Sequence, residues 1–193
     1  MSTQGRRERE LAQRRQVIVD AARDLAEAEG WESVTTRRLA DRIEYSQPVL
    51  YSHFEGKDAI VTAVAIEGYA ELATVLHTAR RNAGSPDAEP RAVAVAYSDF
   101  ARANPALYEA MFALNVDLRF AHSDTPVPAH SSFTEMRDAL APLAGSRDID
   151  TFTEVVWSAL HGLVTLSRAS RLRPDFYDQR LFMLMDQLSV TPS

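Results

Sequence analysis

The sequence contains no cysteine in its 193 residues. That removes disulfides, thiolate metal sites and thiol chemistry. It has no Gly-x-Gly-x-x-Gly, no phosphate loop, no His-Glu-x-x-His and no Gly-x-Ser-x-Gly, so the common cofactor and hydrolase signatures are missing. Gly56-Lys57 lacks the upstream glycine that a phosphate loop needs. Carboxylates are scattered over helix surfaces and no acid/base pair stands out. We expect no catalytic residue, no cofactor and no enzyme. Alternating strand-like runs are absent, which predicts an all-α chain. No apolar run is read as reaching membrane-spanning length, and the first sixteen residues are too polar for a secretory leader. A cytoplasmic protein with no membrane partner is the expectation. Basic excess is lacking too. The formal net charge is −6, which taken alone does not favour a polyanionic partner.

What is present centres on residues 35–54. Leu39, Ala40 and Ile43 fall on one face of a short helix, because residues three and four apart share a helical face. Thr35 or Thr36 can cap its start. Glu44-Tyr45 is long enough only for a turn. Ser46 is a second N-cap, and Pro48 falls in the first turn of a second helix, where its missing N–H costs nothing. Leu50 and Phe54 pack back, leaving Gln47, Val49, Tyr51, Ser52 and His53 on other faces. Two short helices joined by a tight turn describe a helix-turn-helix. Charge is uneven in its favour. Arg6, Arg7, Arg9, Arg14 and Arg15 crowd the N-terminal arm, and Arg37, Arg38, Arg42 and Lys57 mark the motif. The extreme arm, Arg6 to Arg9, reads either as a solvated tail or as a phosphate contact.

This stretch resembles the DNA-binding segment of the tetracycline-repressor (TetR) family of bacterial transcription factors. The matching residues are Thr35-Thr36-Arg37, Leu39-Ala40, Gln47-Pro48, Leu50-Tyr51, His53-Phe54 and Lys57. One departure stands out: the family usually has glycine in the turn, where this chain has Glu44-Tyr45. Glu44 must accept a positive φ or shift the turn. The resemblance implies that Arg37 and Gln47 reach base edges, that Pro48 and Val49 meet a thymine methyl, and that Thr36, Tyr51, His53 and Lys57 hold phosphates.

Upstream, residues from about Glu10 to Glu29 read as a helix with Val17, Ala21, Leu25 and Ala28 in register. Gly30 is its stop, and Trp31 and Val34 are read as plugs of a small three-helix core. This domain is predicted to cover residues 1–57. Residues 58–193 form the second, helical domain, continuous with the first. It opens with a long helix to about Arg81, carrying a stripe of Ile60, Val64, Leu72, Val75 and Leu76, with Gly68 as a possible hinge. Further helices are predicted over 90–103, 105–114, 131–143, 150–171 and 174–190, with a loop from His122 to His130. His122, Asp124 and His130 lie close in sequence, but two histidines and a carboxylate in a polar loop are ordinarily solvated, so no metal is expected.

Trp157, followed by His161-Gly162, and Asn104-Pro105 with Leu107-Tyr108 and Met111-Phe112 are similar to the C-terminal domain of a subset of the same family. The resemblance implies a homodimer on a near-palindromic double-stranded operator, released by a small-molecule effector. The surplus of apolar residues on Val155–Leu166 and Leu181–Leu188 suits a bundle shared between subunits. Large side chains at Tyr97, Phe100, Tyr108, Met111, Phe112, Phe133, Met136, Trp157 and His161 are the candidate effector-pocket walls. Each also fits plain core packing, and His161 fits either a core hydrogen bond or a ligand contact. The reading is a repressor of transcription. Its alternative is a ligand-independent DNA-binding or partner-binding protein that keeps the helix-turn-helix.

Overall fold

The computed structural model describes residues 3–112, 114 and 126–189. Among these the chain is helical with no strand, as the sequence predicts. The α-helices are α1 (Thr3–Glu29), α2 (Thr36–Arg42), α3 (Gln47–His53), α4 (Lys57–Arg81), α5 (Glu89–Ala103), α6 (Pro105–Phe112), α7 (Val127–Ala144), α8 (Ile149–Arg168) and α9 (Tyr177–Ser189).

They pack as two compact units. The first holds α1, α2, α3, α4 as far as Gly68, and α6; the second holds the rest of α4 with α5, α7, α8 and α9. The sequence divides the chain after residue 57, at the start of α4. Compact packing instead keeps the first turns of α4 and the distant α6 with the N-terminal helices.

α1 starts at Thr3, several residues before the expected Glu10. Its first turns hold together through an Arg6–Glu10 ion pair at 3.5 Å and an Arg9 Nε to Gly5 carbonyl bond of 3.0 Å. The arginine-rich arm is therefore the start of a helix. Its buried stripe is Ile18, Ala21, Ala22, Leu25 and Ala26, whereas Val17 and Ala28 face outward. The helix ends where predicted: Gly30 takes φ +82, a value costly for other residues, and its N–H bonds the Ala26 carbonyl. Trp31 and Val34 are both core residues.

α4 corrects two expectations. By length and mean hydropathy it is long and apolar enough to cross a membrane, but half of its most apolar window is buried in the fold. Ile60, Val61, Val64, Ala65, Tyr69, Leu72 and Leu76 make the buried stripe, with Tyr69 in and Val75 out. Gly68 is a close-approach position rather than a flexible joint. A Cβ there would lie 2.7 Å from Met111 Sδ and 2.8 Å from Leu107 Cδ1, both on α6.

In the second unit α7 begins at Val127 rather than Ser131. Val127–His130 forms its first turn, because proline is well placed at a helix start even when it looks like a loop signal. His122 and Asp124 lie outside the described residues. α8 stops at Arg168, where Ser170 takes φ +54 and Arg171 N bonds the Leu166 carbonyl. Pro174–Phe176 is a 3-10 turn before α9. α8 buries Phe152, Val156, Leu160 and Val164 while leaving Val155 57% exposed; α9 buries Leu181 and Met185 while leaving Met183 59% exposed.

Candidate nucleic-acid interface

α2 starts on a side-chain cap: the Arg38 N–H donates to Thr35 Oγ1 at 3.2 Å. Leu39 and Ala40 point into the core. The helix ends through Ile43, and Tyr45 N bonds back to the Ala40 carbonyl at 2.9 Å, the six-to-one closure that normally uses glycine. Here Glu44 fills that position with φ +58. The chain keeps the turn geometry and accepts the strain. Glu44→Gly is therefore expected to stabilise the protein by up to about 1 kcal/mol, since the left-handed region costs side-chain-bearing residues roughly that much. The midpoint of thermal unfolding should rise by about 2–4 °C. An unchanged or lower midpoint would mean that the Glu44 side chain contributes more than its strain removes.

α3 follows from Ser46, which caps in extended conformation without a side-chain bond, and Pro48 sits in the first turn. Leu50 and Phe54 are buried. Gln47, Pro48 and Ser52 are exposed, Tyr51 is 51% exposed, and Val49 and His53 are half-buried. Tyr51 Oη lies 3.4 Å from Thr36 Oγ1, linking the start of α2 to α3. Arg37 is exposed on α2, and neither Arg37 nor Gln47 has a partner among the described residues. Thr36, Arg37, Gln47, Pro48, Val49, Tyr51 and His53 all belong to the short α2–α3 hairpin.

The basic side chains around it divide. Arg38 grips Glu29 with both terminal nitrogens at 3.0 Å and also donates to the Ser33 carbonyl at 3.2 Å. The hydrogen bond from Arg38 lowers the Glu29 carboxyl pKa from its ordinary value. Lys57, the single lysine in the sequence, donates Nζ to the Trp31 carbonyl at 2.5 Å. Arg15 Nη1 reaches the His53 carbonyl at 2.9 Å.

Sequence reasoning missed the residues that fasten α6 to α1. The Glu27 carboxylate accepts from Ala106 N at 3.0 Å and Leu107 N at 2.9 Å, capping the orphan donors of α6. Trp31 Nε1 donates to the Ala106 carbonyl at 2.7 Å, and Arg23 Nη2 to Asn104 Oδ1 at 3.0 Å. No local sequence signal announces a cap supplied from a helix 79 residues away.

The aromatic residues named as pocket walls are split between the units. Tyr108, Met111 and Phe112 lie on α6 in the first, where Met111 packs against Gly68 and the Tyr108 and Phe112 rings sit 4.7 Å apart. Tyr97, Phe100, Phe133, Met136, Trp157 and His161 lie in the second. There Trp157 Nε1 donates to Tyr97 Oη at 3.1 Å, and Phe133 meets Trp157 edge-on at 6.5 Å. His161, one turn on, lies 3.3 Å from Thr165 Oγ1 through Nε2. Burial lowers its pKa from the ordinary value, because a half-buried site disfavours the charged ring. Tyr69, absent from the sequence-based set, is 1% exposed; burial raises its hydroxyl pKa, and nearby Tyr97 adds to the rise. Two open cavities also lie in this unit. One, about 880 Å³, is lined by residues including Ala83, Arg91, Val95 and Phe182. The other, about 520 Å³, surrounds Arg80 with Glu89, Glu135 and Asp138. Neither is lined by the aromatic set. Among the described residues no group of three His, Asp or Glu is placed to hold a metal.

A capped helix, a closed turn and a short second helix with an exposed polar face define a helix-turn-helix protein with a helical C-terminal part. The chain belongs to the TetR family. Residues 18–64 match the model of bacterial regulatory proteins of the tetR family, and residues 90–188 match that of the tetracyclin repressor-like C-terminal domain. The chain is similar to the HTH-type transcriptional regulator YobS of Bacillus subtilis, 35% identical over 49% of each chain. It is 39% identical to the class C tetracycline repressor protein of Escherichia coli over 33% of this chain and 27% of that one. The chain thus spans about half or less of the length of these curated relatives. A solved structure from Rhodococcus sp. RHA1, of a protein with unknown function, superposes with a TM-score of 0.77 at 25% identity, covering 91% of this chain and 93% of that one.

Proposed function

We propose that the protein is a cytoplasmic, DNA-binding transcriptional repressor that acts as a homodimer and is released by a small, mainly apolar effector. The observation that carries this reading is the outward face of α3. Gln47, Pro48 and Tyr51 are exposed there, with Arg37 on α2 and no partner for Arg37 or Gln47 among the described residues. Arg37 suits the paired acceptors of guanine, Gln47 the acceptor–donor pair of adenine, and Pro48 and Val49 a thymine methyl. Thr36, Tyr51, His53 and Lys57 hold phosphates and fix the register. The Trp31 carbonyl accepts a hydrogen bond from one Lys57 N–H and orients the ammonium, which has two other N–H groups to donate.

A seven-residue recognition helix reads few base pairs. Two copies spaced about 34–36 Å, or a small multiple, would supply the missing specificity. The exposed apolar residues of α8 and α9, Val155, Leu166, Phe182 and Met183, are the surface for the second copy. Selection of duplexes from a random pool tests this. Enrichment of an inverted repeat is expected; failure to enrich any sequence above the random pool would refute the reading.

The effector is assigned to α5, α7 and α8 of the second unit, against Tyr97, Phe100, Phe133, Met136, Trp157 and His161. The Trp157–Tyr97 hydrogen bond and His161 supply a few polar groups in apolar surroundings, the usual make-up of a binding site. Release requires the effector to prefer a state that binds operator poorly, because equal affinity for both states shifts nothing. Trp157→Leu is expected to leave operator affinity within about twofold while abolishing effector-induced release. Loss of operator binding with the effector response intact would place the effector elsewhere.

A further inference from the structure

We propose that Arg15 is a positioning residue for α3 and not one of the phosphate contacts that its place in an arginine-rich arm suggests. The inference rests on the DNA-binding reading above. Arg15 lies on α1, 38 residues before His53, yet its Nη1 donates to the His53 carbonyl at 2.9 Å. His53 is the last residue of α3, so this carbonyl is one of those a helix end leaves without a partner. The guanidinium carbon also sits 4.0 Å from the centroid of the Phe54 ring, and that ring is itself buried. A cation at this end complements the helix dipole, and a planar guanidinium can stack and donate at the same time.

α3 needs such support. It has seven residues and buries only Leu50 among them, and a helix that short is not stable by itself. Leu50 fixes its middle and the α2–α3 turn its start. Arg15 and Phe54 fix its end. Tilting that end displaces Gln47 and Tyr51, which share the helix. Arg14, the neighbouring residue, is exposed and has no partner among the described residues. It is the natural comparison for an arginine free to meet phosphate.

The test uses Arg15→Lys, Arg15→Gln and Arg14→Gln in the full chain. Affinity is measured across a salt series for a duplex selected by the wild type and for a random duplex of equal length. Backbone hydrogen exchange of α3 is followed without DNA. Both Arg15 variants should lose roughly three- to tenfold in affinity for the selected duplex. Random-duplex binding and the salt slope should stay as in wild type, and α3 amides should exchange faster while α1 does not change. Arg14→Gln should instead weaken both duplexes alike and lower the slope. The proposal is overturned if Arg15→Lys behaves as wild type and Arg15→Gln behaves as Arg14→Gln, or if α3 exchange is unaltered. Should the wild type select no duplex at all, the DNA-binding reading fails, and the exchange measurement still decides whether Arg15 holds α3.

Discussion

Trp31→Ala should destabilise the protein by about 3–5 kcal/mol, a large share of the roughly 5–15 kcal/mol that domains typically have. Trp31 is 4% exposed at the junction of α1 and α2. Its indole N–H donates to the Ala106 carbonyl of α6 at 2.7 Å, and its own carbonyl accepts from Lys57 at the start of α4. Alanine removes the ring volume and leaves the Ala106 carbonyl without that donor. Trp31→Phe keeps much of the volume and loses only the donor, so it should cost about 1–3 kcal/mol. Chemical denaturation of the three proteins gives both values. If Trp31→Ala fell within about 0.5 kcal/mol of wild type, as a surface change would, the ring would not be holding the first unit together.

Gly68→Val should cost about 1–3 kcal/mol, although replacing glycine inside an ordinary helix tends to stabilise. The added Cβ would meet Met111 Sδ at 2.7 Å and Leu107 Cδ1 at 2.8 Å, and branching at that carbon worsens the fit. Gly68→Ala isolates the balance. The gain in helix propensity, about 1 kcal/mol, opposes the displacement of Met111. Removing the obstacle should reveal the gain: in a Met111→Ala background, Gly68→Ala should be more favourable than in wild type. Equal effects in both backgrounds would show that Met111 does not press on Gly68.

The α2–α3 hairpin was legible because its caps, turn and apolar spacing are local. Thr35 caps three residues ahead, Pro48 starts a turn, and Leu39, Ala40, Leu50 and Phe54 repeat at helical spacing. Even its irregularity was legible: the absence of glycine posed the choice that Glu44 resolves with φ +58. Other features depended on contacts that no local pattern records. Gly68 looked like a hinge because its partners Leu107 and Met111 are some forty residues on. In α4 a tyrosine hydroxyl reads as polar and Val75 as apolar, yet Tyr69 is buried and Val75 exposed. Pro126 and Pro128 read as loop where they begin α7. The basic residues were legible as a cluster, but only the structure shows that Arg15, Arg38 and Lys57 hold backbone or carboxylate groups of their own unit. The aromatic residues were recognisable as a set, yet their division between α6 and the α5–α7–α8 group follows from chain packing.

The central claim is that α3 reads base edges, and the most direct measurement is the affinity of wild type, Gln47→Ala and Lys57→Ala for a selected duplex, its single-base variants and a random duplex. Gln47→Ala should lose about 1–3 kcal/mol on the selected duplex and stop discriminating at one base pair, with its salt slope unchanged. Lys57→Ala should weaken every duplex by a similar factor and reduce the slope by about one. If both variants bound selected and random DNA as the wild type does, the assignment of α3 as the reading helix would be contradicted.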